Sequence, residues 1–116
     1  MRHHDKIRKF GREVGQRKAL LKSLALSLVL NKKITTTEDK AKELRPFMEK
    51  LLSRAKMNNL ASRRLLISRL GAMAGVSELI ENLGPKYKER HGGYTRIVKL
   101  GRRFSDGSHM AVIEFV

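Results

Sequence analysis

The chain has no cysteine. That removes a disulfide framework, a thiolate metal site and a thiol nucleophile together, and it fits a reducing compartment. Long apolar runs are missing too. The most apolar stretch, ALLKSLALSLVL from Ala19 to Leu30, is interrupted by Lys22 and falls short of the roughly 20 residues a membrane-spanning helix needs. The N-terminus is charged throughout, with neither an apolar core nor a small-residue cleavage site, so it does not read as a secretory signal. Acidic residues are scarce: 11 Asp and Glu stand against 26 Lys and Arg, a formal net charge of +15 over 116 residues. So basic a chain repels itself when compact, and a polyanionic partner relieves that repulsion. Nucleic acid is the first candidate, ahead of an anionic membrane surface and of acidic protein.

What is present suits one small domain. Residues 1–13 hold Arg2, His3, Arg8, Lys9 and Arg12 among few apolar residues, and read as an extended basic arm ordered by what it binds. Residues 14–116 read as a single α+β domain. Leu20, Leu24 and Leu28, with Leu21, Ala25 and Val29 beside them, predict a helix from Val14 to Asn31, closed by Asn31 and the cations Lys32 and Lys33. KITTT (33–37) predicts a short strand, after which Thr36 or Thr37 caps a second helix with Glu38 and Asp39 in its first turn. Pro46 lies within that helix and predicts a kink or two abutting helices. Asn58 or Asn59 caps a third helix, LASRRLLISRL, which GAMAG breaks. A fourth, VSELIENL, stops at Gly84-Pro85. Two β-rich runs around Asp106-Gly107 predict a hairpin, with Ala111, Ile113 and Phe115 on the covered side of its second strand. The expected fold is α+β: about four helices on one face of a small three-stranded mixed sheet, with the basic arm outside it.

Enzyme chemistry finds little to work with. His3, His4, His91 and His109 have no positioned nucleophile or orienting carboxylate, and GREVGQRK lacks the spacing of a phosphate-binding loop. Met1-Arg2-His3 could capture copper or nickel at a free amine, but clustered Cys/His spacing is missing and these histidines read better as donors toward phosphate. No catalytic residue, metal, cofactor or small-molecule substrate is expected. The basic residues fall into three clusters: the arm; Lys40 and Lys42 with Arg63 and Arg64 on the middle helices; and Lys86, Lys88, Arg90, Arg96, Lys99, Arg102 and Arg103 around Gly92-Gly93-Tyr94. Each cation that meets a phosphate releases counterions, so affinity falls steeply with salt. The paired glycines let the backbone approach a phosphate or turn at positive φ. Tyr94 offers either a ring for an unpaired base or a core plug with its hydroxyl exposed. An arm plus basic loops suits folded RNA better than a DNA duplex, because the third helix is too apolar for a recognition helix. Ile97, Val98 and Leu100 are expected to anchor the first hairpin strand, leaving Arg96 and Lys99 outward.

MRH at the start, TTTEDKAKELRP in the middle and LGPKYKERHGGYTRIVKLGRR followed by MAVIEFV closely resemble the bacterial large-subunit ribosomal protein seventeen family. The last block is the most specific. The resemblance implies an α+β fold, a cytoplasmic and structural role in the ribosome, and contact with large-subunit rRNA and neighbouring ribosomal proteins near the polypeptide exit tunnel. It also implies that Arg2, His3, Arg8, Lys9, Arg12, Arg17 and Lys18 belong to an arm that enters rRNA, and that Arg63, Arg64 and Gly92 to Arg96 match family positions. Between Gly11 and Gln16 the chain reads GREVGQ, where the family usually carries small polar and histidine residues.

Overall fold

A computed structural model describes residues 14–116; the arm of residues 1–13 lies outside the described residues. The chain runs α1 (Val14–Asn31), β1 (Lys33–Thr37), α2 (Glu38–Met57), α3 (Leu60–Leu70), α4 (Met73–Glu78), a π-helical turn (Leu79–Leu83), α5 (Gly84–Lys86), β2 (Thr95–Arg102) and β3 (His109–Phe115). The α+β expectation holds, with the helices on one face of a three-stranded sheet. The sheet is wholly antiparallel rather than mixed. β3 lies in the middle, and both β1 and β2 pair with it antiparallel. β1 and β2 run the same way but never touch, because the C-terminal strand separates them.

α2 is the central helix: it packs on all three strands and on α1 and α3. Its Ala41, Leu44, Met48, Leu51, Leu52 and Ala55 are all buried, at the spacing that puts them on one side of a helix. They meet Leu28 and Val29 of α1, Leu66 of α3, Leu79 of the π-turn and Ala111, Ile113 and Phe115 of β3 in one core. Thr37 caps α2, its hydroxyl accepting from the Lys40 N–H, and Asn59 caps α3 by accepting from the Ser62 N–H at 2.8 Å. Asn58 adopts the left-handed conformation that ends α2.

Four local expectations need correction. α1 ends with Lys32, not Asn31, in the left-handed conformation (φ +71°). Lys32 tolerates it because its ammonium donates to the Val29 carbonyl at 2.8 Å and pairs with Glu78 at 2.5 Å. α2 is one helix through Pro46, not two; Pro46 is exposed, so water can reach the Lys42 carbonyl that its missing N–H leaves open. GAMAG does not exclude helix, because α4 starts at Met73 inside it. Helix also does not stop at Gly84-Pro85. A π-turn absorbs the irregularity, Gly84 N–H donating to the Leu79 carbonyl, and Pro85 then occupies an early position of α5, where no N–H is required. Gly84 is buried there, and a Cβ would lie 3.1 Å from the Leu79 carbonyl oxygen and 3.3 Å from that of Ala55 on α2.

Candidate nucleic-acid interface

The segment Arg90–Thr95 is where the sequence placed its most specific motif, and the fold ties it to α2 through two side chains of opposite charge. Glu49 accepts from the Tyr94 N–H (3.1 Å to each oxygen), the Thr95 N–H (3.0 Å) and the Thr95 hydroxyl (2.8 Å). Two helical turns further on, Lys56 donates to the Arg90 carbonyl and, at 3.0 Å, to the Tyr94 hydroxyl. That hydroxyl donates in turn to the Arg90 carbonyl at 3.2 Å, and the Lys56 ammonium sits 5.1 Å from the Tyr94 ring centre. Gly92 (φ +91°) and Gly93 (φ +65°) turn the chain between these two anchors, a path that costs an L-residue with a Cβ.

Tyr94 is thus a core residue. It is 2% exposed, its ring 5.5 Å from that of Tyr87, which packs against Phe115 and donates its own hydroxyl to the Val116 carbonyl. A base cannot stack on it, so the core-plug alternative is the one realised, with the hydroxyl bonded rather than exposed. Lys56 beside that hydroxyl holds its pKa below the usual tyrosine value, outweighing the effect of burial.

The face of β2 also differs from the expected one. Thr95 and Ile97 turn toward the helices, and Lys99, opposite buried Ala111, shares their side. Val98 (44% exposed) and Leu100 (46%) do not anchor the strand. The strand is instead held at its start, by Tyr94 and Thr95 on Glu49, and Lys99 reaches along the sheet to Glu38 at 3.5 Å.

The candidate cations divide into those with and those without an acidic partner. Lys42 pairs with Glu38 at 2.9 Å, Arg96 with Glu114 at 3.3 Å, and Arg103 with Asp106 at 2.6 Å. Lys42 holds the Glu38 carboxyl below its ordinary value, and Arg103 does the same to Asp106 more strongly. Lys88, Arg90 and Arg102 are exposed, in the loop before β2 and at the end of that strand. Arg63 and Arg64 lie in the first turns of α3, just beyond the C-terminal end of α2, whereas Lys40 and Lys42 lie at its start. About fifteen helical residues, roughly 22 Å, separate the two pairs, so they do not form one cluster. Arg17 and Lys18 are helical residues of α1, not parts of an extended arm. Two guanidinium nitrogens of Arg17 are buried with no acceptor among the described residues. Arg2, His3, Arg8, Lys9 and Arg12 lie outside the described residues.

Sequence reasoning named Lys18 but passed over the cations that the fold gathers beside it, Lys22, Lys50, Arg54 and Arg69. α1, α2 and α3 enclose two adjoining concavities, of about 480 and 560 Å³, that share Arg69. Lys18 and Lys22 line the first, while Lys50, Arg54 and the Gly92 backbone line the second. All five side chains are exposed. Nothing in the linear pattern distinguishes them from a solvated helix face; only the helix packing brings them together. Among the described residues there is no group of three or more His, Asp or Glu side chains placed to hold a metal, and no helix long and apolar enough to cross a membrane.

The family model of ribosomal protein L17 matches residues 20–116. A large ribosomal subunit protein bL17 from Rickettsia bellii is 50% identical over the whole of this chain and 82% of its own length. Proteins of the same description from Sphingopyxis alaskensis and Orientia tsutsugamushi are each 48% identical, again over the whole chain and over 84% and 80% of their own lengths. Relatedness of that extent covers the Arg90–Thr95 segment that Glu49 and Lys56 strap to α2, the sheet and the described helices, so the chain belongs to the ribosomal protein L17 family.

Proposed function

We propose that this chain is a structural constituent of the large ribosomal subunit that binds and stabilises large-subunit rRNA near the opening of the polypeptide exit tunnel. Family membership supports the ribosomal part and speaks against an enzyme. The rRNA part is carried by one observation: a chain of net charge +15 folds so that a whole set of its cations on one surface has no acidic partner among the described residues. Neutralising those charges with phosphate is favourable and releases counterions. Residues 1–13 act as a separate basic arm, with Arg2, His3, Arg8, Lys9 and Arg12 as phosphate donors continued by Arg17 and Lys18 on α1. The domain of residues 14–116 is the mount, presenting Lys88 and Arg90 from the loop before β2 and Arg102 from the end of that strand. Neighbouring large-subunit proteins complete the surroundings.

Sucrose-gradient sedimentation of lysate containing tagged protein tests this reading. The protein is expected in the large-subunit and monosome fractions, and to leave them when the salt concentration is raised. Its absence from those fractions at low salt refutes the reading and favours a free-standing nucleic-acid-binding regulator.

A further inference from the structure

We infer that the double concavity across α1, α2 and α3, with Arg69 at its waist, is a track for the sugar-phosphate backbone of RNA. This inference rests on the rRNA-binding reading and adds to it which face of the domain the RNA follows.

Charge sorting is the first argument. On the sheet side the fold neutralises most of its own cations: Lys42, Lys99, Arg96 and Arg103 have carboxylate partners, while Lys33 and Arg102, at strand ends, have none among the described residues. Along the track Lys18, Lys22, Arg69, Lys50 and Arg54 have none among the described residues. Among the described residues one carboxylate lies at its edge, Glu49, and it is turned away onto the Tyr94 and Thr95 donors. An RNA backbone arriving at the track therefore displaces no ion pair among the described residues, whereas on the sheet side it would compete with four.

Shape is the second argument. The cations line concave walls whose remaining surface is largely apolar, with Leu21 and Phe47 in one lobe and Leu65 and Met57 in the other. Low-dielectric walls around charges of one sign concentrate the positive potential in the groove. The Lys22 stem lies beside the left-handed Gly71 that ends α3, its Cδ 4.0 Å from where a Cβ would stand. The lysine stem thus runs beside the join between α1 and α3, with its ammonium exposed. At the far end the track meets the Gly92 backbone, which the Glu49 and Lys56 strap keeps in place.

The test compares two full-length variants for binding transcribed large-subunit rRNA over a range of salt concentrations. Each phosphate contact contributes about 0.7–0.9 to the slope of log affinity against log salt. The track variant Lys50→Gln/Arg54→Gln/Arg69→Gln should lose about 2–3 from that slope, with an unchanged melting temperature because all three side chains are exposed. The sheet-side variant Lys42→Gln/Arg96→Gln should change it by less than about 1. In the wild-type complex, Lys22 and Lys50 should be protected from acylation by an activated acetate ester. An unchanged slope in the track variant, or equal reactivity of Lys22 and Lys50 with and without RNA, overturns the inference. A track variant that binds rRNA like wild type but no longer enters large-subunit particles also overturns it, in favour of a protein occupant. Failure of the wild-type protein to sediment with large subunits would instead strike the functional reading beneath it.

Discussion

Removing the Glu49 carboxylate should damage the fold more than removing any surface charge of the chain. Glu49→Ala leaves three donors without an acceptor: the Tyr94 N–H, the Thr95 N–H and the Thr95 hydroxyl. Both residues are 2% exposed, so water reaches the abandoned donors only if the start of β2 lifts from α2. An unsatisfied buried donor costs about 1–3 kcal/mol, and bonds to a charged acceptor lie at the upper end. Three such losses are not additive, because one lifting movement rehydrates all of them. The expected total is about 3–5 kcal/mol, against a stability of roughly 5–15 kcal/mol for a domain of this kind. At about 4 °C per kcal/mol the melting temperature should fall by about 12–20 °C. Glu49→Gln keeps the shape and one oxygen but points an amide donor at other donors, and should lose about half as much. Phe104→Ser is the control, since that side chain is 105% exposed and its removal should shift the melting temperature by less than about 2 °C. Circular-dichroism melts measure the shift, and amide exchange at Tyr94 and Thr95 locates it. A Glu49→Ala melting point within about 3 °C of wild type, or unprotected amides at those residues in the wild-type protein, would refute the strap.

Gly84→Ala should destabilise by about 1–3 kcal/mol, seen as a lower urea midpoint with an unchanged slope, because the new Cβ meets the Leu79 and Ala55 carbonyl oxygens at 3.1 and 3.3 Å. The Tyr94 phenol should ionise below the ordinary tyrosine value of 10.0 in a spectroscopic titration, and Lys56→Met should move it upward. The sign follows from the order of deprotonation. The folded state releases this proton before the unfolded state does, so the contribution is full above pH 10, is lost as pH falls through the folded value, and makes stability rise with pH between the two. Deleting residues 1–12 should leave the circular-dichroism signal of the domain intact while lowering rRNA affinity and its salt slope; loss of the folded signal would contradict the arm reading.

Much of this fold is written in short-range pattern. The apolar spacing of Ala41, Leu44, Met48 and Leu51 is sufficient to locate α2 and its buried side, and the Thr37 and Asn59 caps stand where their chemistry requires. The face of β2 is another matter, because both parities of TRIVKL carry apolar residues. The inward parity goes with the pairing of β2 on β3 and with the Thr95 hydroxyl bonded to Glu49, forty-six positions earlier in the chain, contacts no local rule can see. Gly84-Pro85 misled for a related reason. Punctuation by Gly and Pro describes an isolated segment, whereas here a π-turn and the close approach of α2 hold the pair within helix. For the candidate interface, residue type identified cations in abundance but could not say which of them the fold would neutralise. Lys99 and Lys50 look alike in sequence; only the first has a carboxylate brought to it, by the packing of α2 on the sheet.

Five of the eleven acids of so basic a chain stand at its joints. Glu38 links the start of α2 to β2, Glu78 meets Lys32 where α1 gives way to β1, and Glu114 ties β3 to Arg96. Asp106 closes the hairpin tip and Glu49 holds the loop before β2. Salt acts unequally on these roles. The exposed pairs contribute little each and are screened, but the Glu49 bonds, with their buried donors, are screened far less. The unpaired cations of the track depend on the ionic medium for everything they do toward RNA. Rising salt should therefore release the RNA while the domain stays folded. That separation follows because the strap keeps the Glu49 carboxylate on the chain's own backbone donors, so that the charged groups facing the groove among the described residues are cations.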